Sequence, residues 1–185
     1  LCSTCTQCIA ICPVQALSWD NIESKKINAD ILPKPEQIKE FLKARRSIRK
    51  FKDKPIKRNI LEDIAIMSKY APTNNYNIDV IIVDDQSLIN ELETECIKFI
   101  QRTYNVFYKH KIIFNFMKKI TPAMNSTDKI KMERTLKRSN IFQDAPVIMI
   151  LVADKRISHT ELSSQYALYN MALYAQSLGI GSTSL

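Results

Sequence analysis

Four cysteines, Cys2, Cys5, Cys8 and Cys12, open the chain at the spacing C-x2-C-x2-C-x3-C, and Pro13 follows the last of them. Thiolates so spaced are iron-sulfur ligands. The short steps let one tight loop present three sulfurs to three irons of a 4Fe-4S cube, and the longer step before a proline turns the fourth sulfur away. In two-cluster modules that fourth cysteine serves the other cluster. Cys2, Cys5 and Cys8 are therefore assigned to one cluster and Cys12 to a second, whose remaining ligands would precede Leu1. The chain is accordingly expected to lack the first half of its cluster module. Zinc is the alternative, although its sites usually pair cysteines across a longer stretch or combine them with histidine, and His110 and His159 lie far away. Disulfides fit poorly, because the cysteines sit too close together to staple distant loops and no hydrophobic signal segment is present. Cys96 reads as an ordinary buried or half-buried thiol.

A second group suited to chemistry is Arg45-Arg46-Ser47-Ile48-Arg49-Lys50-Phe51. Its guanidinium forks and hydroxyl suit a phosphate or the polar edge of a flavin. Taken alone, such a run is equally a solvated face or a basic localisation patch. It is followed in order by Tyr70-Ala71-Pro72-Thr73-Asn74-Asn75, by Val83-Asp84-Asp85 closing an apolar run, and by Asp144-Ala145-Pro146 opening another. Asn170-Met171-Ala172-Leu173 and Leu178-Gly179-Ile180-Gly181-Ser182 come last. Asn170, Met171 and Tyr174 read as helix packing. No Ser-His-Asp or paired-carboxylate arrangement stands out.

These residues need a scaffold, and 185 residues with 45% hydrophobic content leave room for one medium domain beside a small cysteine module. Residues 1–20 are expected to form the C-terminal half of the cluster module, 21–35 a polar linker closed by Pro33 and Pro35, and 36–185 the main domain. Apolar residues at i, i+3, i+4 predict a helix over Glu36 to Arg45 and another from about Arg58 to Tyr70, stopped by Pro72. Ile78 to Val83 reads as a strand. A helix over about Leu88 to Tyr104, capped by Ser87, leads into an aromatic, basic stretch that is helical to Met117. Thr121 to Asp128 interrupts it before a basic helix over Lys129 to Ser139. Val147 to Val152 reads as a strand covered on both faces, Glu161 to Leu178 as a long helix ending at Gly179, and a third strand is expected near Ser182. The fold class is α+β.

The net charge of +8 is regional: residues 101–140 hold ten Lys/Arg and two Asp/Glu, and the rest balances at 17 against 17. A solvated helical face or a surface attracting an anion or an acidic partner would each account for it. No helix-turn-helix, zinc-finger or aromatic-basic RNA signature is present, so nucleic acid is not an expected partner. No apolar run reaches the roughly 18 residues of a bilayer span, and the expectation is a cytoplasmic protein with no membrane partner.

The ordered motifs resemble the FMN-dependent nitroreductase family, whose members open with R-R-S-x-R-x-F, continue with A-P-S/T, and later show an A-P-strand and a helix ending L-G-L-G. With the cysteine run in front, the chain is similar to the ferredoxin-nitroreductase fusions of anaerobes. The likeness covers about residues 2–100 and 141–185. It implies a nitroreductase-like central sheet flanked by helices, preceded by part of a small ferredoxin-like Fe-S module with two 4Fe-4S clusters in the intact protein. It also implies that Arg45, Arg46, Ser47 and Arg49 contact FMN, the arginines at the phosphate and Arg49 near the pyrimidine edge. Pro72, Thr73 and Asn74 would reach the flavin from the other subunit of a homodimer, and Thr183 and Ser184 would pass the isoalloxazine. Tyr76 and Ile78 depart from the family, which usually has Asn and often Gln there. The family's later basic residues lie beyond Leu185, so the chain is expected to be incomplete at this end too. The implied function is a flavin-dependent oxidoreductase, with electrons passing from 4Fe-4S clusters to FMN and on to a small acceptor such as a nitroaromatic or quinone. NAD(P)H or reduced ferredoxin is the expected donor. The alternative is a non-catalytic electron-transfer or redox-sensing module.

Overall fold

The computed structural model describes residues 7–19, 22–23, 27–73, 77–121 and 126–185. They fall into two units, one formed by the residues up to Arg49 with Lys57–Ile82 and Met149–Leu185, the other by Lys50–Ile56 with Val83–Ile148.

The first unit opens with a short helix α1 (Gln7–Ala10) and two short strands, β1 (Ser18–Trp19) and β2 (Ile22–Glu23), paired antiparallel with Ser18 opposite Glu23. Helix α2 (Pro35–Ala44) starts with proline in its first turn, where no intrahelical N–H is needed, and the Gln37 side chain accepts the Lys34 N–H at 2.7 Å. It ends at Arg45, whose backbone turns extended. Helix α3 (Arg58–Ile66) buries Leu61 and Ile64 and tightens into a 3-10 turn at Met67–Tyr70 before Pro72. Strands β3 (Ile78–Val83) and β4 (Ile148–Ala153) pair with each other. Against them lies α7 (Thr160–Ser177), which buries Ser163, Ala167, Met171 and Ala175 at steps of four. That spacing is one stripe of a helix, and two of the four are alanines, which let the neighbours approach closely.

Ile64, Met171 and Ala175 form one core cluster with Val80, Met149, Leu151 and Ile180 around it; Ala71, Ile78 and Ala167 form a second against Leu151 and Ala153. Both strands thus use alternate residues inward. Cover is uneven on the two faces of the second strand: Ile150 and Val152 remain 38% and 44% exposed, while Met149, Leu151 and Ala153 pack on the core.

Gly179 closes α7 in the left-handed region at φ 73. Its N–H donates to Gln176 O at 3.0 Å, the Ile180 N–H donates to Ala175 O at 2.9 Å, and the Ile180 side chain folds onto the core. This is a Schellman ending. Residues 180–185 then run irregularly rather than as the expected third strand.

In the second unit, α4 (Gln86–Thr103) is capped by Asp85, not Ser87: its carboxylate accepts the Leu88 N–H at 2.8 Å, which fixes the helix start two residues earlier than serine could. The helix runs into a π-helical turn at Tyr104–Tyr108, with the Lys109 N–H donating to Tyr104 O at 2.9 Å. Helices α5 (Lys111–Ile120) and α6 (Ser126–Arg138) follow. Glu93 of α4 accepts the N–H groups of Ile141 and Phe142, and the Tyr104 hydroxyl donates to Glu133 at 2.8 Å. Cys96 is exposed on α4 rather than buried. No helix among the described residues is long and apolar enough to cross a membrane.

Gly179→Ala places a Cβ in a left-handed conformation with open space around it, so the cost is backbone strain alone. We expect a loss of about 1 kcal/mol in denaturant unfolding, without a change in m-value.

Candidate functional site

The end of α2 leaves an arginine-rich segment whose course is set by the far end of the chain. The Ile48 N–H donates to Ser182 O at 3.0 Å. One backbone bond therefore brings Arg45–Arg49 beside Ser182, Thr183 and Ser184. The approach is close enough that a Cβ at Gly181 would stand 2.9 Å from Ile48 Cγ1 and 3.0 Å from its Cβ. Glycine is required there by contact, not by conformation.

The side chains in this segment differ in what they are free to do. Arg46 donates through Nη1 to Lys43 O at 2.7 Å and to Arg45 O at 2.8 Å, so that part of its guanidinium neutralises the carbonyl end of α2. The side chains of Arg45, half-buried, and Arg49, exposed, make no hydrogen bond or ion pair among the described residues. Ser47 and Thr183 are half-buried and Ser184 is exposed. Two guanidinium groups on a segment whose backbone is bonded to Ser182 are donors of the kind an oxyanion takes.

Pro72, exposed, and Thr73, half-buried, leave the buried Ala71 on the way to β3; Asn74 lies outside the described residues. Beside the Met67–Tyr70 turn, Phe41, Met67, Tyr70, Asn170, Leu173 and Tyr174 line an open apolar groove of about 280 Å³. The backbone of its lining residue Phe41 is held by Gln176 Nε2, which donates to Phe41 O at 2.9 Å. Met171 and Tyr174 pack in or on the core, as their helical spacing predicts.

Of the four clustered cysteines, Cys2 and Cys5 lie outside the described residues. Cys8 is exposed and Cys12 half-buried, both with free thiols. The Ala16 N–H donates to Cys12 Sγ at 3.3 Å and is the main reason the thiol is held below the ordinary cysteine value. No group of three His, Cys, Asp or Glu side chains able to hold a metal occurs among the described residues.

The nitroreductase family model matches residues 42–185. The chain belongs to the nitroreductase family. Among solved structures, a nitroreductase with bound FMN from Desulfitobacterium hafniense DCB-2 superposes with a TM-score of 0.56 at 23% identity, covering 77% of this chain and 65% of that one. An FMN-dependent nitroreductase from Clostridium difficile R20291 gives 0.57 at 22% identity, covering 80% and 59%. A nitroreductase with bound FMN from Bacteroides fragilis NCTC 9343 gives 0.55 at 24%, covering 80% and 68%. The chain thus spans less than two thirds of the first two relatives. No curated protein matches it. The nitroreductase-like fold is shared at these identities, and both ends of the arginine site, Arg45 and Ser184, lie inside the matched span.

The apposition of Ile48 and Gly181 had no signal in sequence beyond the Gly-x-Gly pattern itself. Gly181→Ala should push Ile48 away and loosen its N–H from Ser182. We expect the Ile48 amide to exchange with solvent faster and global stability to fall by about 1–3 kcal/mol, the usual cost of overpacking. An Ile48 amide as protected as in the parent would contradict this.

Proposed function

We propose that the protein is an FMN-dependent oxidoreductase that reduces a small acceptor such as a nitroaromatic or quinone, fed by 4Fe-4S clusters held by its N-terminal cysteines. The observation that carries this reading is the arginine site: Arg45 and Arg49, without internal partners, stand in a segment bonded to Ser182. That donor set fits the phosphate of FMN, which carries close to two negative charges.

In this reading Arg45 and Arg46 hold the phosphate, Arg46 with the donors left after its bonds to the end of α2. Ser47 adds a hydroxyl donor, Arg49 meets the pyrimidine edge, and Thr183 and Ser184 run beside the ring. FMN, when bound, supplies hydride or electron exchange at N5, so no side-chain nucleophile or general base is required. The chain's own work is to bind, orient and keep the positive charge near the flavin's polar edge.

The second subunit of a homodimer supplies Pro72, Thr73 and Asn74. Support comes from α7, which is apolar on its outer side as well as its inner one: Leu162, Tyr166 and Tyr169 are 55%, 51% and 46% exposed. Large apolar side chains exposed on the outer side of a helix, here beside Glu161 and Gln165, are a surface that a second copy would cover. The groove of Phe41, Tyr70 and Tyr174 lies on the same unit.

The cluster assignment rests on the C-x2-C-x2-C-x3-C-P spacing, with Cys2, Cys5 and Cys8 on one cluster and Cys12 on its neighbour. The lowered Cys12 thiol is in keeping with a thiolate ligand. In this division residues 1–20 are the cluster module, 21–35 the linker and 36–185 the flavin domain. NAD(P)H or reduced ferredoxin is the donor, and a reducing cytoplasmic compartment suits the free thiols.

Arg45→Ala tests the arrangement. Losing one charge-assisted contact in a half-buried site should weaken FMN binding about tenfold to a hundredfold. Acceptor turnover should fall with flavin content, while iron and acid-labile sulfide stay at the parent level. Unchanged flavin content would contradict the site, and full flavin without turnover of any small acceptor would favour the non-catalytic module.

A further inference from the structure

Helix α5 carries more apolar surface outward than inward. Its inner side is Phe114, 9% exposed, whose ring centroid lies 5.5 Å from that of the buried Tyr108, with Lys129 Nζ 5.9 Å above it. On its outer side Ile112, Phe116 and Ile120 are 86%, 62% and 61% exposed. Steps of four residues put these three on one stripe. Lys109, Lys111, Lys118 and Lys119 border the helix, all exposed and without an ion pair among the described residues. From Cys96 to Thr127 the sequence holds six Lys/Arg and no Asp or Glu.

We propose that α5 lies flat on an anionic lipid surface, with Ile112, Phe116 and Ile120 in the acyl boundary and the lysines among the headgroup phosphates. The charge decides against a second copy on this face, since two such surfaces would bring like charges together. Residue type decides against an acidic protein. Every cation on α5 is lysine, which protein interfaces deplete in favour of arginine, whereas a lysine stem lies along apolar surface and lifts its ammonium to the headgroups. An apolar stripe beside a lysine-rich face is the pattern of an interfacial helix. The expectation of no membrane partner rested on the length needed to span a bilayer, and a helix lying in the interface needs no such length. The inference stands independently of the flavin reading.

Flotation of the full chain with vesicles tests it. With equal parts of phosphatidylcholine and phosphatidylglycerol the protein should float, and with phosphatidylcholine alone it should not. Each of K111Q, K118Q and K119Q should weaken binding about fivefold, and added salt should weaken it further. The triple variant Ile112→Ser, Phe116→Ser, Ile120→Ser alters only exposed positions. It should keep the parent's circular dichroism melt and lose binding by about tenfold or more. Three results would overturn the proposal: no flotation with anionic vesicles, equal flotation of the triple variant, or equal flotation with neutral vesicles. Retention on immobilised polyglutamate without flotation would assign the face to an acidic protein. A stripe-dependent change of mass in light scattering without flotation would assign it to a second copy.

Discussion

Helix α7 can deliver Ser182 to Ile48 only because its last turn closes sharply on Gly179 and the next residue, Ile180, is drawn back onto the core. The chain is then aimed at the end of α2, where the Ser182 carbonyl accepts the Ile48 N–H. Gly181 removes the one side chain that would hold the two segments apart. Two glycines, the only two in the chain, therefore have different duties: one is conformational and the other is steric. The arginines owe their common location to both.

That delivery needs a firm base. Ala167, Met171 and Ala175 lock α7 against the strands and the Met67–Tyr70 turn, so its C-terminal end is held by packing rather than by its own helix propensity. The opposite side of α7 is also apolar and exposed, a cost that makes sense where a second surface covers it. Positive charge follows the same economy at α2: Arg46 serves the helix end, which leaves Arg45 and Arg49 uncommitted. Uncommitted guanidinium groups add little to stability and keep their donors available.

Local features were legible in sequence wherever one strong signal dominated. Ile78 to Val83 is β-branched at every position but Asp79 and stands before two aspartates, and its bounds match; the long helix ends at Gly179 as expected. Asp85 displaced Ser87 as cap because both are good caps and only geometry separates them. The apolar run of β4 predicted two covered faces, but the sequence pattern reports what a strand can bury, not what is present to cover it. Near Ser182 a single long-range bond to Ile48 replaces the expected strand, and no local pattern encodes that pairing. The arginine segment was expected as an anion site from residue type alone, while the bonding of Arg46 to the end of α2 could be seen only once that helix end was in place. Cys2, Cys5 and Asn74 lie outside the described residues, so those parts of the reading rest on sequence.

The central claim is that the Arg45–Arg49 segment recognises a phosphate through charge. Titration of the flavin-free full chain with FMN and with riboflavin, followed by quenching of flavin fluorescence, isolates that contribution because the two ligands differ only in the phosphate. The account predicts that FMN binds at least about tenfold more tightly, with the difference shrinking as salt is added. Equal affinity for the two flavins, or no binding of either, would contradict it.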